Sequence, residues 1–273
     1  MTFTRIFGIY EAPVYHLSES MRQQTQTLLE EPAPKSPRFG KRELLHEGEG
    51  KNLYNSDKPE LIIQEFRQFD HEDGENDTRS TELCTLRNQI SSYLFKYLEG
   101  FHIPTHFISR ISDTEMLVRR LEVIPLTLKI YNVAGGTLTK RLGLKEDVAL
   151  EFPVIEHYHK KGERGVSWVN EYHIYAFSIA TPEELKQLNR IASKVNAVLR
   201  GLCDRRGLML AELQIEFGRY KGQIALADEL SPVTCRFWDM SVENKNGRDR
   251  FLPGQERVEE AYALLRDRLE LKL

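Results

Sequence analysis

The stretch that decides the fold is Met209-Leu210-Ala211-Glu212-Leu213-Gln214-Ile215-Glu216-Phe217, continued through Tyr220-Lys221-Gly222 into Gln223 to Asp228. Alternate side chains of a strand point to opposite faces. Met209, Ala211, Leu213, Ile215 and Phe217 are therefore expected in the core, and Glu212, Gln214 and Glu216 toward water or a ligand. Lys221-Gly222 marks a tight hairpin, and folding the chain there brings Glu216 opposite Asp228 or one residue diagonal to it. Cross-strand β-carbons lie about 5 Å apart, and like charges at that distance favour a cation between them. Magnesium carried by a nucleoside triphosphate is the natural candidate; a solvated hairpin whose acids never meet is the plain alternative.

Beyond the hairpin, Asp228-Glu229-Leu230-Ser231-Pro232-Val233-Thr234-Cys235-Arg236-Phe237-Trp238-Asp239 packs acids, hydroxyls and a guanidinium into a loop after a strand, a common place for ligand sites. The planar fork of Arg236 suits a phosphate or carboxylate, or else a structural salt bridge. Before the hairpin, Thr181-Pro182-Glu183-Glu184 reads as a capping box opening a helix. Its buried stripe is Leu185, Leu188, Ile191, Ala192, Val195, Val198, Leu199 and Leu202, and Gly207 is placed to end it. Val133-Ala134-Gly135-Gly136-Thr137 runs an apolar strand into a helix start followed by Lys140-Arg141. Backbone amides at such a turn bind anions, and a plain strand–helix connection explains the pattern equally.

Met116 to Val133 reads as two strands joined at Pro125, because proline interrupts a central ladder. Glu43 to Leu45 and Asn52 to Tyr54 flank Gly48-Glu49-Gly50-Lys51, and Leu61 to Phe66 adds a third short strand of a small antiparallel sheet. The glycine turn sits between strands and opens no helix, so it is no dinucleotide fingerprint. A hairpin with a trailing lysine can still lie over triphosphate oxygens, or be an ordinary turn. Leu83 to Leu98 and Val258 to Leu271 read as helices, Asp70 to Asp77 as an acidic surface loop, and residues 1–38, closed by the proline-rich Glu30 to Pro37, as an appendage.

Lys and Arg number 38 against 41 Asp and Glu, a net charge of −3, so no basic field suggests a nucleic-acid partner or an anionic membrane. No apolar run reaches the roughly 18–20 residues that span a bilayer. Cys84, Cys203 and Cys235 are too few and too scattered for a disulfide framework or a zinc site. A cytoplasmic protein with reduced thiols is expected.

In order and spacing, these runs resemble the SAICAR synthetase family over about residues 42–270. The most specific matches are His102-Ile103-Pro104-Thr105-His106-Phe107, Asn132 to Gly143, Ile215-Glu216-Phe217-Gly218, and Ala227 to Pro232 through Arg236-Phe237-Trp238-Asp239. The resemblance implies a two-lobed α+β fold with antiparallel sheets and an ATP cleft, a small nucleotide-binding lobe at 39–122 and a larger substrate and metal-binding lobe at 123–273. It implies an ATP-dependent ligase of purine biosynthesis that joins a carboxylate to an amine, here carboxyaminoimidazole ribonucleotide and aspartate or a related pair, through an acyl phosphate. A homo-oligomer stays open.

By the same resemblance, Gly48, Gly50, Lys51 and Glu122 hold ATP, and Glu216 and Asp228 hold its Mg2+. Lys160 and Arg236 serve catalysis, and Arg236 binds substrate together with Asn132, Gly136, Thr137, Lys140, Arg141, Glu212, Gln214 and Ser231. The sequence departs from the family pattern where Glu49, Tyr131 and Gln214 replace cations, Glu212 and Val233 replace aspartates, Glu82-Leu83-Cys84 replaces a Gly-Lys-Gly, and Val166-Ser167 replaces an Asp-Pro. The losses fall mostly on substrate groups, while the metal acids survive. A noncatalytic nucleotide-binding paralogue and a phosphotransferase acting on a hydroxyl are the competing classes.

Overall fold

Strands rich in β-branched and aromatic residues build two antiparallel sheets. The computed structural model describes residues 39–48, 50–67, 78–160, 166–243, 245–254 and 257–269. The first sheet uses β1 (Leu44–Glu47), β2 (Lys51–Asn55), β3 (Leu61–Phe66), β4 (Phe107–Arg110) and β5 (Glu115–Arg119), in the order β1-β2-β3-β5-β4. Helix α1 (Thr78–Glu99) lies between β3 and β4 in the chain and packs on this sheet. The expected apolar face is present in Leu86, Ile90 and Leu94, but the helix is buried nearly all round and carries Arg87, Asn88 and Ser91 inside as well. The acidic run at 70–77 and the segment 1–38 lie outside the described residues.

The second sheet contains β6 (Glu122–Val133), β7 (Ala149–Lys160), β8 (Val166–Val169), β9 (Leu208–Tyr220) and β10 (Gln223–Ala227), ordered β10-β9-β6-β7-β8, with β11 (Cys235–Asp239) also paired to β9. Two strands do occupy the Met116 to Val133 run, but the break falls at Arg120-Leu121 and Pro125 lies within β6. The β6–β9 register slips between Ile124 and Thr127, so a residue lacking an N–H sits where the ladder is already interrupted. Between β6 and β7 comes the short helix α2 (Gly136–Leu142), and after β8 the helices α3 (Glu171–Ala176) and α4 (Pro182–Asp204).

Helix α4 packs against β9, β6 and β10 and covers one face of the second sheet. Its capping box forms as read: the Glu184 amide donates to Thr181 Oγ1 at 3.2 Å and the Thr181 amide to Glu184 Oε2 at 2.9 Å. All of the expected stripe is buried except Val198, which is half-buried, and Gly207 adopts φ +65° three residues beyond the helix end. The chain closes with α5 (Lys245–Arg248) and α6 (Val258–Arg268), the latter packed on α1.

The alternation expected along Met209 to Phe217 holds from Glu212 onward and fails before it. Arg236 faces Glu212 but Phe237 faces Leu210, so β9 carries one extra residue at a bulge. A one-residue slip exchanges the two faces of a strand. Leu208 and Leu210 are therefore the deeply buried residues, and Met209 and Ala211 join Val133 and Trp238 in a separate small cluster. The first-sheet segment at Pro104 to His106 bonds to β10 through His106 N to Leu226 O at 2.8 Å and Leu226 N to Pro104 O at 2.9 Å, which ties the two sheets beside Asp228.

Candidate active site

The β9–β10 hairpin has the expected two-residue turn, with Lys221 and Gly222 at φ +50° and +78° and Tyr220 paired to Gln223. This register pairs Ala227 with Glu216, so Asp228 stands one step diagonal from Glu216. Gly218, two residues further along β9, is required by packing: a β-carbon there would lie 2.5 Å from the Leu121 β-carbon. The two sheets thus meet closely just beside the carboxylate pair.

Both carboxylates already have cationic partners. Lys51, delivered by β2, pairs with Asp228 and stands 3.4 Å from Glu229, while Lys160 at the end of β7 pairs with Glu216. Thr127 donates to Glu216 at 3.3 Å, and Gln64 of β3 donates to the Asp228 carbonyl at 3.3 Å. Burial, and after it the charge of Asp228, raises the pKa of Glu216. Burial works against the Lys51 ammonium, but Asp228 and Glu229 outweigh it and raise its pKa. His106 lies buried next to this pair; burial first, then the Lys51 charge, lowers its pKa to about 3, so the ring is neutral. Its Nε2 has no hydrogen-bond partner among the described residues.

The loop after Asp228 is fixed from beneath by contacts that the sequence pattern did not show. Glu229 is buried and accepts from Arg87 at 2.8 Å and from Ser231 at 2.7 Å. Burial would raise its pKa, but Arg87 and then Lys51 overcome this and hold it down at about 2. Ser91 of α1 accepts from the Leu230 amide at 3.0 Å, and Thr234 donates to the Glu229 carbonyl at 3.0 Å. Only the polar positions of α1, at one-turn spacing, hinted at this support.

A cavity of about 310 Å³ opens in front of the acids and runs past Gln214 and Lys129 to Thr137 and Tyr158. Its floor is the face of the second sheet where Thr127 pairs with Glu216, Lys129 with Gln214 and Tyr131 with Glu212. Lys129 pairs with Glu212 at 2.7 Å. At the far end Thr137 Oγ1 stands 3.2 Å from the Tyr131 hydroxyl and 3.3 Å from that of Tyr158. Tyr158 donates to Glu156 at 2.7 Å, and Arg141 pairs with the other oxygen of that carboxylate. Arg236 donates to both oxygens of Asp249, at 3.0 and 2.5 Å, and lies against Gly135, where a β-carbon would come within 3.3 Å of its Nη1.

Several expected site residues are not among the cavity's lining. Asn132 is buried and exchanges bonds with Asn196 of α4 at 2.8 Å, which puts it on the opposite face of the sheet from Glu212 and Gln214. Ser231 is fully buried and serves Glu229. Glu122 pairs with Arg219 at 2.9 Å at the surface. Gly136 and Lys140 are exposed on α2. Gly48 and Gly50 act through their backbone, Gly48 N donating to Lys51 O at 3.0 Å and Gly50 O accepting from Arg67 N at 2.9 Å, and so shape the hairpin that carries Lys51. Glu49 lies outside the described residues.

A sequence profile described as SAICAR synthetase matches residues 44–264. A phosphoribosylaminoimidazole-succinocarboxamide synthase of Desulfitobacterium hafniense (strain Y51) is 39% identical over 224 residues, 82% of this chain and 94% of that one. The chain belongs to the SAICAR synthetase family. The crystal structure of phosphoribosylaminoimidazole-succinocarboxamide synthase from Ehrlichia chaffeensis superposes with a TM-score of 0.75 at 32% identity, covering 85% of this chain and 100% of that one. A SAICAR synthetase in complex with ADP superposes with a TM-score of 0.73 at 33% identity, covering 84% and 98%. The protein is thus an α+β, ATP-dependent ligase of the SAICAR synthetase type. Of the positions read from the sequence as departures, Gln214 and Val166 line the cavity and Tyr131 bonds to Thr137 beside its far end, while Glu216, Asp228 and Lys160 line the near end, where Lys51 pairs with Asp228.

Proposed function

We propose that the protein is a magnesium- and ATP-dependent carboxylate–amine ligase, with carboxyaminoimidazole ribonucleotide and aspartate as the reference acid and amine. The observation that carries this reading is the pair of lysine–carboxylate contacts, Lys51 with Asp228 and Lys160 with Glu216, at one end of a single cavity. Partly exposed ion pairs contribute little to stability, but two acids and two ammoniums can exchange partners, the acids for a cation and the ammoniums for phosphate oxygens.

The donor set fits the metal. Hard carboxylate oxygens suit Mg2+, which keeps several waters and is commonly shared with substrate phosphates. Among the described residues no group of three metal-ligating side chains exists, so the ion would arrive with the nucleotide on Glu216 and Asp228. Bound there, it would neutralise charge on the phosphates. Lys51 then holds phosphate oxygens from the first sheet and Lys160 from the second, so that the nucleotide bridges them. The neutral His106 adds no competing positive charge. Preorganised charges of this kind act by positioning and by stabilising charge that develops during transfer.

Three buried, unpaired cysteines fit a cytoplasmic location, and no helix among the described residues is long and apolar enough to cross a membrane. The deciding experiment incubates the protein with Mg-ATP and a panel of acids and amines that includes the reference pair. ADP released in step with an amide product is the expected outcome. Tight nucleotide binding with no turnover would favour a noncatalytic paralogue, and phosphate transferred to a hydroxyl would make the protein a kinase.

A further inference from the structure

The metal acids and their lysines occupy the near end of the cavity, and the sheet face beside them carries a further cation, Lys129, to which no role has yet been given. Thr127, Lys129 and Tyr131 alternate on the front of β6, while Leu128 and Ile130 are buried on the back, the side that α4 covers. Thr127 and Lys129 line the cavity, and so do Glu216 and Gln214, their cross-strand partners on β9. Two polar positions on each of two central strands, open to one cavity, form a floor for a polar ligand.

The Lys129 side chain is 19% exposed, and its ammonium reaches Glu212 Oε1 at 2.7 Å. Gln214 Nε2 stands 3.5 Å from the same oxygen, and Arg236 of β11 faces Glu212 on the neighbouring strand. Glu212 thus anchors the ammonium at the cavity without exhausting it, because an ammonium has three N–H donors and one carboxylate oxygen takes one of them. A strand rises about 3.4 Å per residue, so Lys129 lies about 7 Å along β6 from Thr127, which donates to Glu216. An acid that is activated by ATP must bring its own negative charge up to an anionic phosphoryl group. A fixed cation one strand step from the metal acids offsets that repulsion and orients the carboxylate.

We propose that Lys129 binds the reacting carboxylate of the acid substrate beside the metal acids, with Glu212 as the residue that positions its ammonium. This rests on the ligase reading and adds a substrate-binding residue to it, with carboxyaminoimidazole ribonucleotide as the reference acid.

The test is calorimetry on the full chain loaded with Mg2+ and a nonhydrolysable ATP analogue, titrated with carboxyaminoimidazole ribonucleotide and with the same nucleotide lacking its carboxylate. The wild type is expected to bind the carboxylated probe at least about tenfold tighter, the effect of one charge-assisted bond. Lys129→Met should erase that preference and leave the affinity for the analogue as it was. Because this change leaves Glu212 without its ammonium, the double variant Lys129→Met with Glu212→Gln, which strands no charge, is measured beside it, and both are checked by melting temperature. A wild type that binds the two probes equally or binds neither overturns the proposal. So does a preference that survives in whichever variant folds, or a loss of affinity equal for both probes, which is what a packing role would give. The analogue titration, run first, is the separate check on the ligase reading, which fails if the analogue does not bind.

Discussion

Asp228 has φ +69°, a left-handed conformation that asparagine and aspartate tolerate far better than other residues with side chains. Asp228→Asn should therefore keep the backbone and remove only the charge; Glu229 would remain beside Lys51. Calorimetry should show Mg-nucleotide affinity lowered at least tenfold with the melting temperature nearly unchanged, and an unaltered affinity would refute the assignment of the metal acids. Because burial and Asp228 raise the pKa of Glu216, cation binding should weaken on acidification at a higher pH than for an ordinary carboxylate of pKa 4.5. Arg87 and Glu229 differ from this working pair in being almost fully buried, at 1% and 3% exposed. Removing one partner of a buried ion pair leaves an uncompensated charge. Arg87→Met should cost about 3–5 kcal/mol in urea unfolding.

At the scale of elements, the back of the second sheet and its front answer to different pressures. Helix α4 covers the back, and its capping box lies far in sequence from the metal acids. Thr181→Ala should lower stability by about 1 kcal/mol, read as a drop of roughly 2 °C in melting temperature, and leave nucleotide affinity as it was. A loss of nucleotide binding in that variant would mean that α4 communicates with the front. On the front, the bulge near Leu210 brings Met209, Ala211, Val133 and Trp238 together beneath Arg236, which stands 5.5 Å from the Trp238 ring. Period-two counting missed this because an inserted residue changes the face without changing composition.

For the molecule as a whole, acid should act through the buried groups where the sheets join. His106 has a folded pKa of about 3 against an ordinary value of 6.5. Between those values the unfolded chain binds a proton that the native chain does not, so stability falls as pH drops below about 6.5, by up to about 1.4 kcal/mol per pH unit. Glu229, held at about 2 against 4.5, adds its own loss as pH falls through that lower window. The melting temperature should thus decline from about pH 6.5 downward and more steeply below about pH 4.5. His106→Gln should flatten the upper part of that curve; an unchanged slope would mean that another group carries it.

The sequence alone determined the local features around the hairpin and the helix before it. The capping box, the Lys221-Gly222 turn, the alternation from Glu212 to Phe217 and the diagonal of Glu216 and Asp228 are local, because turn geometry and side-chain period act over a few residues. Tertiary structure alone decided what each polar group meets. It turned Asn132 to the back of the sheet and Ser231 inward, matched Arg87 with Glu229 across 142 positions, and paired Arg141 with Glu156, Lys129 with Glu212 and Arg236 with Asp249. Such pairings depend on how distant segments approach, and buried charges take whichever opposite charge the packing brings within reach.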